Sequence, residues 1–159
     1  METEIKILEA NSKDIEHIAQ IAYQVAKLHD EALPQYFKPV SKDEQLKNIY
    51  DLFKDDRITV FKAVYEEEIR GFLFLEMIHR ISKGLMFSKL GCILNFGVDE
   101  NYRNHGIGTL LLHTAEQYVK DHDGEALDLS VFAFNQSAIK FYERLGYKTI
   151  DISMRKVLK

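Results

Sequence analysis

The chain has 159 residues, 46% of them apolar and 29% charged, with a formal net charge of −4 and one cysteine. That balance describes one water-soluble domain, long enough to bury well over half of its unfolded surface, and it lacks the basic stripe of a general nucleic-acid or membrane-surface binder. A lone Cys92 forbids an internal disulfide framework or a cysteine-based metal site, no signal peptide or membrane-length apolar run is read, and the expected location is cytoplasmic.

Glu4 to Leu8 alternates polar and apolar residues, the pattern of a half-buried strand. Ser12 is placed to cap a helix on which Ile15, Ile18, Ala19, Ala22, Val25 and Ala26 share one face. Both prolines fall in PQYFKP, so residues 33–39 read as a loop, and a second helix is expected from Ser41 to Phe53. Arg57 to Tyr65 and Ile69 to Arg80, rich in β-branched and aromatic residues and separated by a short acidic EEE, read as a hairpin. Leu85 to Val98 turns apolar on both sides in its second half and so predicts a central strand covered on both faces. Ile107, Leu110, Leu111, Ala115, Tyr118 and Val119 then trace one helix face. Leu127, Leu129, Val131 and Ala133 alternate as a strand. Asn135 can cap a short helix bearing Ala138, Phe141, Tyr142 and Leu145, which Gly146 is placed to end, and a last strand is expected from Tyr147. The order β-α-α-β-β-β-α-β-α-β predicts an α/β (α+β) fold: a mixed sheet with helices on both faces, in a single domain over residues 1–159.

The segment RNHGIGT, residues 103–109, opens the third helix. It is not a P-loop, because Gly108 is followed by Thr109 and Leu110 with no lysine. Nor is it a dinucleotide fingerprint, because Leu111 stands where the third small residue belongs. Glycines at a strand-to-helix turn still leave successive backbone N–H groups pointing outward at the positive end of a helix dipole, a nest for phosphate or pyrophosphate. Arg103 and His105 would add side-chain donors. A plain tight turn, whose glycines only permit unusual backbone angles, fits the same residues.

The wider pattern decides between them. FGVDENYRNHGIGTLLL resembles the signature of the GNAT superfamily of acetyl-CoA-dependent N-acetyltransferases, with Arg103, Gly106 and Gly108 filling [RQ]-x-x-G-x-[GA] behind Val98 and Tyr102. A second element of that family, N-x-x-[AS]-x-x-[FL]-Y-x-x-x-G-[FY], is met by Asn135, Ala138, Phe141, Tyr142, Gly146 and Tyr147. The resemblance covers about residues 92 to 150, with the amino-terminal half agreeing only in element order. It implies that the amides of Arg103, Asn104, His105, Gly106, Ile107, Gly108 and Thr109 grip the pyrophosphate of acetyl-CoA. It also implies that the backbone of Phe96, Gly97 and Val98 pairs with the pantetheine arm, that Asn135 and Phe141 line its other side, and that Tyr142 is the general acid protonating the departing thiolate. A phenol can serve a thiolate leaving group, since its ordinary pKa is about 10.

One departure stands out. Many relatives place a glutamate base on the strand before the glycine turn, whereas here that stretch reads Cys92-Ile93-Leu94-Asn95-Phe96. The base is then Glu76 or His79 on the preceding strand, or water, or the acceptor arrives already neutral. His29, Asp30 and Glu31, with Tyr36 and Phe37, form the acceptor loop that the resemblance implies, suited to a cationic amine or to a plain solvated helix end. The expected acceptor is a small-molecule or peptide amine, with no nucleic acid, membrane or metal involved; the family also pairs subunits, so a homodimer is compatible. The alternative function is a catalytically inactive acyl-CoA-binding regulatory module. Lys140 and Arg144 could meet the cofactor's outer phosphate or simply be solvated.

Overall fold

The computed structural model describes residues 4–80, 84 and 86–159. Residues up to Leu129 pack as one compact unit, and Ser130–Lys159 as a second.

The first unit is built on a five-stranded sheet in the order β1-β2-β3-β4-β5. Its strands are β1 (Lys6–Glu9), β2 (Ile58–Tyr65), β3 (Glu68–His79), β4 (Lys89–Val98) and β5 (Ala126–Asp128). The first four run antiparallel to their neighbours, and β5 joins β4 in parallel. The expected start of β4 at Leu85 lies outside the described residues. Helices α1 (Ile15–Ala32) and α2 (Lys42–Phe53) cover one face, and α3 (Ile107–Asp121) the other. This is the expected mixed sheet between helices.

Local chemistry sets the element ends. Ser41 accepts from the Glu44 N–H at 3.1 Å while the Glu44 carboxylate accepts from the Ser41 N–H at 2.8 Å, a reciprocal box that starts α2 where the sequence places it. At α1 the cap differs from expectation. Asn11, not Ser12, accepts the first free N–H, from Lys13 at 3.0 Å, and Asp14 closes the box on the Asn11 N–H at 2.9 Å. A single 3-10 turn then leads into α1, and Asp14 also takes both contacts from Lys62 Nζ at 2.8 Å. β2 and β3 meet through Glu66 and Glu67, both left-handed at φ 52° and 62°, the twist a two-residue hairpin turn needs.

Ile18, Ala22, Ile49, Phe72 and Phe74 form the core under α1 and α2, with the Phe74 ring edge-on to Phe53 at 5.5 Å and to Phe72 at 5.7 Å. Beneath α3, Gly91 brings the helix onto the sheet, since a Cβ there would lie 2.4 Å from Val119. On the other face Gly97 does the same for α1, where a Cβ would meet Val25 at 2.8 Å. In β4 the register steps from Phe74↔Asn95 to Leu75↔Ile93, so Leu94 is an extra residue, a β-bulge.

In the second unit α4 (Gln136–Arg144) begins at Asn135, whose side chain accepts from the Ala138 N–H at 3.2 Å. It ends in a left-handed Gly146 (φ 91°), with Gly146 N–H on the Glu143 carbonyl and Tyr147 N–H on the Tyr142 carbonyl. Both ends match the sequence.

Two expected strands differ. β5 stops at Asp128 rather than running on to Ala133, and no strand forms after Tyr147. Ile150, Ile152 and Met154 keep the alternation yet are 79%, 82% and 91% exposed. Period-two patterning reports which side a residue would take; a strand also needs a backbone ladder, and these segments form none among the described residues.

Candidate active site

The glycine turn is assembled from the end of β4. Asp99 N–H donates to the Arg70 carbonyl at 2.8 Å, and the Asp99 carboxylate then caps one 3-10 turn by accepting from the Asn101 N–H at 3.1 Å. Glu100 N–H donates to Gln24 Oε1 at 2.9 Å, tying the turn to α1. Asn104 (φ 66°) and Gly106 (φ 84°) are left-handed, and α3 starts at the next residue, Ile107. No atom lies within 4 Å of where a Gly106 Cβ would stand, so glycine is chosen there for its backbone angle and not for space. Among the described residues, the backbone N–H groups from Arg103 through Thr109 find no protein acceptor. The first ones belong to the turn, and the last three are the orphan donors of a helix start. The result is a run of unpaired backbone donors at the positive end of the α3 dipole.

The turn is buttressed from the β2–β3 hairpin. The Arg70 guanidinium lies 3.9 Å from the Tyr102 ring centre and contacts Glu68 at 2.8 Å and Asp99 at 3.7 Å. The Tyr102 hydroxyl donates to Glu66 at 3.3 Å. Sequence reading missed Arg70, Tyr65 and Glu66 as supports, because no local signal links a hairpin to a turn more than thirty residues on.

The ladder between β4 and β5 ends at Cys92↔Asp128. Phe96, Gly97 and Val98 therefore lie on the stretch of β4 beyond that ladder, leading straight into the turn. The predicted cofactor residues on β4 and in the turn are thus brought together by one continuous stretch of chain.

Where the ladder ends, Glu76, Cys92 and Asp128 stand directly opposite one another on β3, β4 and β5, and so share a face. Burial first, then the Asp128 and Glu76 carboxylates, push the Cys92 thiol up, against a smaller opposing pull from Arg80. Glu76 is also 3.4 Å from the Arg57 guanidinium, which holds Asp55 at 2.6 Å and keeps that carboxyl down at about 2. Asp128 was not singled out in the sequence; only the β4–β5 register reveals it. His79 pairs with Lys89 at the opposite end of β4 from Val98, about 30 Å along the strand.

The predicted acceptor loop is internally engaged. Asp30 accepts the Val40 N–H at 3.0 Å, Glu31 pairs with Lys27 at 3.7 Å on the surface, and His29 stacks on Phe37 at 6.2 Å. Burial, opposed by the Asp30 charge, holds the His29 pKa below its ordinary value.

Within the second unit, Asn135, Phe141 and Tyr142 follow the α4 spacing. Asn135 spends its side-chain oxygen on the helix cap, with the Ser137 hydroxyl also donating to it at 3.3 Å. The Tyr142 ring sits 5.4 Å from Phe141 and 6.0 Å from Tyr147, and burial pushes its phenol up to about 12. Lys140 and Arg144 are exposed or nearly so on the same helix. Among the described residues no group of three or more His, Cys, Asp or Glu side chains could hold a metal ion, and no helix is long and apolar enough to cross a membrane.

A model of the acetyltransferase (GNAT) family matches residues 24–147, which takes in β4, the glycine turn and α4. The chain belongs to the GNAT acetyltransferase family. This GNAT chain is 27% identical to an N-alpha-acetyltransferase of Sulfurisphaera tokodaii over 133 residues, 81% of this chain and 75% of that one. It spans less than half the length of several other curated relatives it matches. Its fold is similar to the crystal structure of a BH1408 tetramutant from Bacillus halodurans, with a TM-score of 0.88, 26% identity and coverage of 96% and 99%. The aminoglycoside N-acetyltransferase AAC(6')-Iy, solved in complex with CoA, shares the fold at a TM-score of 0.78 and 15% identity, over 99% of this GNAT chain and 96% of that one.

Proposed function

We propose that this chain, as one catalytic domain over residues 1–159, transfers the acetyl group of acetyl-CoA to a primary amine by direct attack. The observation that carries the reading is the run of backbone donors from Arg103 to Thr109 at the start of α3, which suits the pyrophosphate of coenzyme A and little else of that size in a chain of this family. Gly97 and Val98, past the end of the β4–β5 ladder, offer strand backbone for the amide-bearing pantetheine arm to run beside. The CoA complex of AAC(6')-Iy and the N-alpha-acetyltransferase relative support the donor and the amine acceptor respectively.

In the reaction the amine nitrogen attacks the thioester carbonyl carbon, the carbon–sulfur bond breaks, and the Tyr142 phenol gives its proton to the leaving sulfur. A phenol raised to about 12 is fully protonated at neutral pH, the state an acid must start from. Asn135 and Phe141 flank the pantetheine. Glu76 takes the proton the amine loses, directly or through water. It stands across from Cys92, two residues from the bulge, whereas His79 lies near the far end of the strand. Glu76 and Asp128 together favour a cationic acceptor, a small molecule or a peptide amino terminus.

The test is calorimetric titration with acetyl-CoA, free coenzyme A and ADP, followed by an amine panel read out as thiol release. Micromolar binding that follows the coenzyme A moiety is expected; absence of binding to either coenzyme A form refutes the reading.

A further inference from the structure

The sequence casts His105 as an extra side-chain donor to the ligand. The structure gives its ring another task. His105 Nδ1 lies 3.1 Å from the Tyr102 carbonyl oxygen and 2.9 Å from the Arg103 carbonyl oxygen. Carbonyl oxygens only accept, so Nδ1 must carry the hydrogen and shares it between them, leaving Nε2 as the bare nitrogen of the neutral ring. The ring plane is fixed from the side. The centres of Tyr65, Tyr102 and His105 form a near-regular triangle with edges of 6.0, 6.1 and 6.1 Å, and Arg70 stacks on Tyr102 at 3.9 Å.

A trans peptide is planar, with its C=O and N–H pointing in opposite directions. Drawing the Tyr102 and Arg103 carbonyls toward the ring therefore turns the N–H groups of Arg103 and Asn104 away from it. We infer that His105 is a positioning residue of the glycine turn, whose Nδ1–H holds two carbonyls so that the next two backbone donors face the ligand. The same hold suits the left-handed angle of 66° at Asn104, a conformation that asparagine adopts more readily than most non-glycine residues. This rests on reading the turn as the coenzyme A site.

Three substitutions separate holding from touching. Asparagine places an N–H donor where Nδ1 sits, and glutamine places one where Nε2 sits. His105→Asn is expected to keep coenzyme A affinity within about threefold of wild type, while His105→Gln and His105→Ala each weaken it roughly tenfold, about one hydrogen bond's worth of lost organisation. Inorganic pyrophosphate should show the same order. Thermal melts of each variant confirm that the fold persists. Retained affinity in His105→Gln with loss in His105→Asn would mean direct contact through Nε2 and would overturn the inference, as would equal affinity, or equal loss, in all three. A ligand-free reading comes from long-range ¹H–¹⁵N spectra of the imidazole. The neutral ring should carry its proton on Nδ1, and a proton on Nε2 overturns the inference. Because that spectrum needs no ligand, failure of wild type to bind coenzyme A would sink the function reading while leaving the clamp separately testable.

Discussion

Gly106 offers the sharpest separation of stability from binding. Its φ of 84° is left-handed and the space around its Cβ position is empty, so Gly106→Ala meets no clash and bears only the backbone cost, about 1–2 kcal/mol. With an unfolding entropy of about 2.1 cal/mol/K per residue, a chain of 159 residues should lose about 3–6 °C in Tm. Gly106→Asp should be no worse, since aspartate tolerates left-handed backbone better than alanine does. Binding should rank the two the other way. The aspartate carboxylate would stand among donors meant for an anion, and like charges about 4 Å apart near a surface repel by about 1–4 kcal/mol. Gly106→Asp should therefore bind coenzyme A at least about fivefold more weakly than Gly106→Ala. The assay pairs a thermal melt with a calorimetric titration on each purified variant. If the aspartate variant binds coenzyme A as well as the alanine variant, the turn is not an anion cradle and the assignment fails.

Tyr142→Phe should lower kcat about 100-fold while leaving coenzyme A affinity unchanged, and unchanged turnover would remove the phenol from the chemistry. Because burial raises that phenol to about 12, its acid form persists through the working range; a wild-type rate loss near pH 8–9 that vanishes in Tyr142→Phe would contradict this. Glu76→Gln should lower kcat/KM for the amine about tenfold or more without altering coenzyme A binding, whereas His79→Ala should change neither; the opposite pattern in steady-state kinetics would move the base to His79. For His29 the folded pKa lies below the unfolded value of 6.5, so the unfolded chain binds the extra proton first and stability falls as pH drops below about 6.5. His29→Phe, which keeps an aromatic against Phe37, should lose less stability than wild type between pH 7.5 and 5.5 in urea melts, and an equal loss would disprove the contribution.

What the sequence reveals of this molecule is what short spacing encodes. Ser41 with Glu44, Asn135 with Ala138, and Gly146 each act within four residues, so the ends of α2 and α4 are readable directly. The turn at 103–109 is equally local. Asn11 was also within reach, since Asp14 three residues on completes its box, but Ser12 is an equally good cap residue by type and only the backbone chooses between them. The extent of β5 could not be read, because Leu129, Val131 and Ala133 alternate correctly whether or not a strand runs beside them. Likewise Asp30 has the charge for a cationic acceptor, yet its carboxylate holds the Val40 N–H ten residues away. The stacking of Arg70 on Tyr102 and the row Glu76–Cys92–Asp128 depend on register between distant strands, a property that no single window of sequence contains.

Leu94 is 42% exposed, and as a side chain it is dispensable: a polar substitution there should be tolerated. As a place in the chain it works differently. Sides alternate along a strand with period two, so the bulge is a parity shift: Gly91 and Gly97 are six residues apart yet face α3 and α1 respectively. Deleting Leu94 would leave Ile93 opposite Leu75 and Asn95 opposite Phe74, with Gly97 still toward α1, and would remove only the bulge. Inserting one more residue there would demand a second bulge or send Gly97 toward α3 and Val98 against α1. β4 should thus accept the loss of one codon at this position but not the gain of one, an asymmetry that surface exposure alone would never foretell.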